Sequence, residues 1–201
     1  MTLIRKIKIN IAMNQQDDIK KAIEVMKNGG VILYPTDTVW GIGCDATNEE
    51  AVAKVYKIKH RNDSKALICL VDSSVRLQRY VRNVPEVAWK IMELATKPTT
   101  IIFDNAVNLA PNLIAEDGSI GMRITQEPFS KELCYRFQKP IVSTSANISG
   151  EPAAQNYKDI TEELLNSVDY VCFSRRQEKK PHTPSSIIRI KVGGEVEIIR
   201  K

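Results

Sequence analysis

Lys59, Arg61 and Lys65 place three cations within seven residues, with His60 between the first two. Further along, Ser143-Thr144-Ser145-Ala146-Asn147-Ile148-Ser149-Gly150 packs four hydroxyls and an amide into eight residues. A polyphosphate needs several fixed positive charges and many hydrogen-bond donors at once. A third stretch, Pro35-Thr36-Asp37-Thr38-Val39-Trp40-Gly41-Ile42-Gly43, sets two threonines just after a short apolar run. In open α/β sheets that is where ligands bind.

Each signal has a plain alternative. A cation cluster at a helix end is commonly solvated, and Thr36, Asp37 and Thr38 serve equally as turn residues bonding their own backbone. Pro184-Ser185-Ser186 reads as a strand entry or as a hydroxyl donor to the same site. His60 reads as a surface residue rather than a base, and no Ser/His/Asp nucleophile arrangement is suggested. Arg175-Arg176-Gln177-Glu178-Lys179-Lys180 reads first as a solvated loop and second as a phosphate or RNA contact.

Gly41-Ile42-Gly43-Cys44-Asp45-Ala46 formally fits a dinucleotide-binding fingerprint, with Asp63 twenty residues past Gly43. That fingerprint must occupy the tight turn from strand to helix. Here Pro35 and five more residues intervene, and the helix begins later, so these glycines are expected in a loop packed close to a ligand or another backbone. There is no Walker A loop.

The elements expected to position these residues alternate. Residues 4–10 alternate as a strand. Ile19, Ala22, Ile23 and Met26 recur at helical spacing over 16–28, stopped by Gly29-Gly30. Residues 31–34 are a buried strand. Thr47 and Glu50 form a capping-box pattern opening a helix whose apolar face is Ala51, Val52, Val55 and Tyr56, with Lys57 and Lys59 in its last turn. Strands follow at 66–71, 99–103, 119–124, 140–143 and 168–173. Helices are expected at 73–81, 85–95, 128–137 and 157–166, and 105–118 is a long loop. Residues 185–190 and 195–199 flank Gly193-Gly194 as a hairpin. The pattern predicts an α/β protein: a single three-layer domain over 1–201 with a twisted mixed β-sheet.

Composition narrows the class. The chain has 201 residues, with 43% hydrophobic and 26% charged residues and a net charge of +5, ordinary for a globular protein and favourable to anionic partners. No apolar run is long enough to span a bilayer, and the first residues lack a secretory apolar core, so a cytoplasmic protein is expected. Cys44, Cys69, Cys134 and Cys172 are never paired as C-x-x-C, and with two histidines a protein-built metal site is not expected.

In combination these residues resemble the YrdC family. The carriers are Pro35 to Gly43, Lys59-His60-Arg61 with Lys65, Gly121-Met122-Arg123, Ser145-Ala146-Asn147 and Pro184 to Ile188, in that order over nearly the whole chain. The resemblance implies a threonylcarbamoyl-AMP synthase in its minimal form. This is a nucleotidyltransferase that joins L-threonine, bicarbonate or CO2, and ATP with Mg2+, for threonylcarbamoyladenosine modification of tRNA. It implies ATP contacts from Lys59, Arg61, Lys65, Ser143, Ser145 and Asn147, with Arg123 and Ser185 as further candidates. Lys59 and Arg61 are the expected catalytic pair, and Thr36, Thr38 and Arg61 the expected threonine contacts. Downstream threonylcarbamoyl-transfer proteins are the implied partners. An alternative is a nucleotide- or double-stranded-RNA-binding paralogue with little synthase activity, which leaves room for a direct tRNA contact. Three departures from the family pattern fall at Trp40, where Tyr is commoner, at Ala95 to Thr100, where many members carry W-P-G-P-L-T, and at Leu70, where longer relatives hold a histidine.

Overall fold

A computed structural model describes residues 14–60, 67–179 and 181–201. The expected strand at 4–10 lies outside the described residues. In chain order the elements are α1 (Gln15–Lys27), β1 (Ile32–Tyr34), β2 (Gly41–Gly43), α2 (Glu49–Ile58), β3 (Ile68–Val71), α3 (Ser74–Leu77), α4 (Glu86–Leu94), β4 (Thr99–Phe103), β5 (Ile120–Ile124), α5 (Pro128–Phe137), β6 (Ile141–Ser145), α6 (Glu162–Ser167), β7 (Tyr170–Val171), β8 (Ser186–Ile190) and β9 (Val196–Arg200).

The strands make one nine-stranded mixed sheet in the order β7-β1-β2-β6-β3-β5-β4-β8-β9. Pairs β1/β7, β3/β5 and β4/β8 are parallel, and the rest are antiparallel. Strand alternation splits the apolar residues between two cores. Ile32, Tyr34, Leu70 and Ile141 pack against Ile19, Ala22 and Met26 of α1 and Phe129, Leu133 and Phe137 of α5. Leu33, Ile42, Cys69 and Val142 belong to the opposite core, with Val52 and Val55 of α2, Leu77 of α3, Ala88 of α4 and Leu164 of α6. The three layers expected from the sequence are present.

Several local expectations are corrected. Gly41–Gly43 is not a loop but a strand between β1 and β6. Its glycines do permit a close backbone approach, since a Cβ on Gly43 would lie 2.5 Å from the Val142 carbonyl and 2.6 Å from the Tyr34 ring. Gly43→Ala should therefore cost roughly 2–3 kcal/mol through overpacking, read as a lower denaturation midpoint. The cap of α2 is Asn48, whose side chain accepts from Ala51 N–H, while the Thr47 hydroxyl donates to Asp45. The helix expected over 73–81 is a single turn capped by Ser73. The helix expected over 157–166 divides into a 3-10 turn, Tyr157–Asp159, and α6. β6 runs on to Ser145 because Gly41 and Ile42 continue to pair with Ser145 and Thr144. Ser143 is a strand residue as expected, and Ser145 is one too rather than a member of a turn after it.

Candidate active site

A cavity of about 380 Å3 opens where the loop after β1, the end of β6 and the entries to β4 and β8 converge. Thr38, Thr100, Arg123, Ser143, Ser145, Asn147, Ser185 and Arg200 all line it. Residues far apart in the chain meet because β5, β4 and β8 lie side by side in the sheet.

Arg123 projects from β5 and is 3% exposed. Its Nη2 donates to Thr38 Oγ1 at 3.2 Å and its Nη1 to Thr100 Oγ1 at 3.3 Å. Thr100 Oγ1 also shares a hydrogen bond of 2.9 Å with Ser185 Oγ. Asp37 Oδ1 lies 2.9 Å from Arg123 Nη2, an ion pair without hydrogen-bond alignment, since that oxygen has no donor among the described residues. Arg123 Nε–H also has no partner among the described residues. A fixed guanidinium on the cavity wall, ringed by hydroxyls, suits an anion. Burial pushes the Asp37 carboxyl above its usual range, against the opposing pull of Arg123.

The two threonines after β1 divide their roles. The Thr36 hydroxyl donates to Val39 C=O at 2.8 Å and accepts from Thr38 N–H at 3.1 Å. Thr36 therefore holds the loop and is not among the residues lining the cavity, whereas Thr38 is. The loop is braced from outside by Arg175, whose Nη1 donates to Thr36 C=O at 2.9 Å and lies 3.2 Å from Glu127.

Lys59 caps the C-terminus of α2, where the helix dipole favours a cation. It is 2% exposed, so it is not a solvated helix end. Its ammonium donates to Ser145 C=O at 2.7 Å, Asn147 C=O at 2.5 Å and Asn147 Oδ1 at 3.2 Å. Asn147 Nδ2 donates onward to Glu151 C=O at 2.7 Å. Lys59 and Asn147 thus shape the turn that presents Ser145. Arg61 and Lys65 lie outside the described residues, and His60 is exposed.

Three site residues escaped the sequence reading: Asp37 as the counter-ion of Arg123, Thr100, and Arg200. Arg200 stands directly after the apolar pair Ile198-Ile199 and before Lys201, which was the available signal. Its guanidinium donates twice to Ser185 C=O, at 3.0 and 2.8 Å. A bulge brings it there. Ile188 faces Ile198, but the next pair is Ile187 with Arg200, so Ile199 is the extra residue. The bulge turns Arg200 onto the side of Ile187, which lines the cavity. Without it, alternation would place Arg200 beside Ile198 on the other face.

Of the departures from the family pattern, Trp40 lines this cavity. Of Ala95 to Thr100, only Thr100 lines this cavity, and Leu70 is buried against α5. The solvated-loop reading of Arg175-Arg176 is also corrected. Arg176 bonds the Cys172 and Val171 carbonyls and lies over the rings of Tyr157 and Phe173. These two arginines serve internal contacts, and Lys180 lies outside the described residues. A second cavity of about 570 Å3 shares Asn147, Glu151 and Ala153 with the first. No described helix is long and apolar enough to cross a membrane.

The family model for Sua5, YciO and YrdC proteins, described as "Telomere recombination", matches residues 24–201. The chain belongs to the Sua5/YciO/YrdC family. Among relatives of this Sua5/YciO/YrdC member, the threonylcarbamoyl-AMP synthase of Stenotrophomonas maltophilia is 35% identical over 155 residues, 75% of this chain and 83% of that protein. A Methanocaldococcus jannaschii relative is 37% identical over 195 residues, 94% and 90% of the two chains. The fold matches E. coli YciO with a TM-score of 0.80 at 23% identity, covering 94% of this chain and 90% of that one. It also matches P. abyssi Sua5, solved as a complex with L-threonine, with a TM-score of 0.77 at 22% identity. That match covers 88% of this chain and 52% of Sua5, so the chain spans about half of that longer protein.

Proposed function

We propose that this cleft makes threonylcarbamoyl-AMP from L-threonine, bicarbonate or CO2, and ATP, as a nucleotidyltransferase serving tRNA threonylcarbamoylation. The observation that carries the reading is the guanidinium of Arg123 on the cavity wall among the hydroxyls of Thr38, Thr100 and Ser185. A small hydroxylated amino acid offers a carboxylate to the first and a hydroxyl to the others. The relatives' shared name supports the same substrate.

The chemistry asks little of a base. The threonine amine adds to CO2 and loses a proton, giving a carbamate. A carbamate oxygen then attacks the α-phosphorus of ATP, the new O–P bond forms, and the bond to the β-phosphate breaks as pyrophosphate leaves with its electron pair. Positioning and charge neutralisation suffice. In this reading Ser143, Ser145 and Arg200 face the phosphates, Lys59 and Asn147 set the turn they rest on, and Arg61 and Lys65 supply further cations. The adjoining cavity has room for the nucleoside. Magnesium arrives as MgATP and stays on phosphate and water. This reading assigns Arg123 to the amino acid, whereas the family resemblance implied a nucleotide contact.

The deciding experiment incubates the protein with MgATP, bicarbonate and L-threonine and follows pyrophosphate, with product mass confirmed. Release that requires both threonine and bicarbonate is expected. Nucleotide binding without threonine-dependent release would leave the non-synthetic paralogue in its place.

A further inference from the structure

One open cleft must sort two kinds of anion, a carboxylate bearing one charge and a polyphosphate bearing several. A bare guanidinium does not do this, because a phosphate dianion attracts it more strongly than a carboxylate does. We propose that Asp37 is a specificity-determining positioning residue that cancels much of Arg123's charge, so that the floor accepts an amino-acid carboxylate and refuses a phosphate dianion. This rests on the synthase reading for the identity of the amino acid.

Three observations carry it. Asp37 Oδ1 sits 2.9 Å from Arg123 Nη2, with side chains only 11% and 3% exposed, where solvent screens little. Asp37 is not among the residues lining the cavity, while its neighbours Thr38 and Arg123 are. It acts from behind the wall, through Arg123, without competing for the ligand's place. The guanidinium is also held at both ends, Nη2 by Asp37 and Thr38 and Nη1 by Thr100, so its orientation is set before a ligand arrives. Asp37 Oδ1 has no other hydrogen-bond donor among the described residues, so the Arg123 guanidinium 2.9 Å away is the charge it faces.

Calorimetric titration of inorganic phosphate and of L-threonine into wild type, Asp37→Asn and Asp37→Glu tests this. Asp37→Asn should bind phosphate about tenfold more tightly, the size expected for removing one buried opposing charge. Threonine should displace that added phosphate, and the gain should vanish in the double variant D37N/R123Q. Asp37→Glu keeps the charge and should keep the wild-type preference. Asp37→Ser, smaller and neutral, should show the same gain as Asp37→Asn and covers the case in which the amide variant does not fold. A merely structural role would weaken both ligands together rather than trade one for the other. Folded neutral variants whose phosphate affinity stays within about twofold of wild type would overturn the proposal, as would a tenfold gain in Asp37→Glu. Phosphate is read without turnover, so a wild-type protein that binds no threonine counts against the synthase reading, while the phosphate gain still decides Asp37.

Discussion

Lys59→Met should lower threonine-dependent pyrophosphate release by about 100- to 1000-fold while leaving a folded protein. The methionine keeps most of the lysine's length and removes its ammonium, which leaves the Asn147 carbonyl and amide oxygen without that donor, while the Ser145 carbonyl keeps only the Asn147 N–H. Each unsatisfied buried acceptor costs about 1–3 kcal/mol, and the turn has a cheap escape by rotating those groups toward the cavity. Rotation moves Ser145 and closes space meant for phosphate, and misplacement of about 1 Å can cost about 100-fold in rate. The loss should fall mainly on kcat, with a drop in thermal midpoint of a few degrees. Lys59→Arg keeps the charge but not the single-point geometry, and should recover part of the rate. Full activity in Lys59→Met would show that the turn holds itself and would remove Lys59 from the machinery.

Arg123→Ala should abolish the use of threonine, with kcat/KM for threonine reduced about 1000-fold or more and MgATP affinity changed less than tenfold. Charge-assisted bonds to a planar fork are among the strongest a site can offer a carboxylate, and their removal appears in the ratio kcat/KM. The variant also strands Asp37. Breaking a buried ion pair by removing one partner costs about 3–5 kcal/mol. Burial already raises the Asp37 pKa, and Arg123 is the largest influence lowering it. Its loss should raise that pKa further. A carboxyl whose folded pKa lies above its unfolded value favours the folded state when protonated. The stability deficit of Arg123→Ala relative to wild type should therefore shrink as pH falls through the raised pKa toward the ordinary carboxylate range, and should be largest above it. Denaturation midpoints of both proteins across that range are the check. A deficit independent of pH would mean that Asp37 finds another partner, and an unchanged KM for threonine would place the amino acid elsewhere in the cleft.

Much of this protein was legible in its sequence because the signals are local. Helical spacing of Ile19, Ala22 and Met26, and of Val52, Val55 and Tyr56, identified the buried faces of α1 and α2, since a side chain's direction on a helix follows from its position alone. The ordered motifs at 35–43, 121–123, 145–147 and 184–188 identified the family and most of the cavity wall. What the sequence could not determine is what each side chain touches. Lys59 looked like a cation offered to a ligand, but the return of β6 beside α2 puts three acceptors around it. Thr36 and Thr38 looked equivalent, and only the closing of their loop turned one hydroxyl inward and left the other on the cavity. Gly41 to Gly43 looked like a loop because three residues carry no usable period, and its strand character depends on partners supplied by β1 and β6. Arg200 faces the site because one extra residue in β9 shifts the register against β8. The pairing of Asp37 with Arg123 likewise depends on two segments that meet only when the sheet is assembled. Periodicity and composition are properties of neighbours in the chain, whereas charge pairing, hydroxyl networks and register belong to neighbours in space.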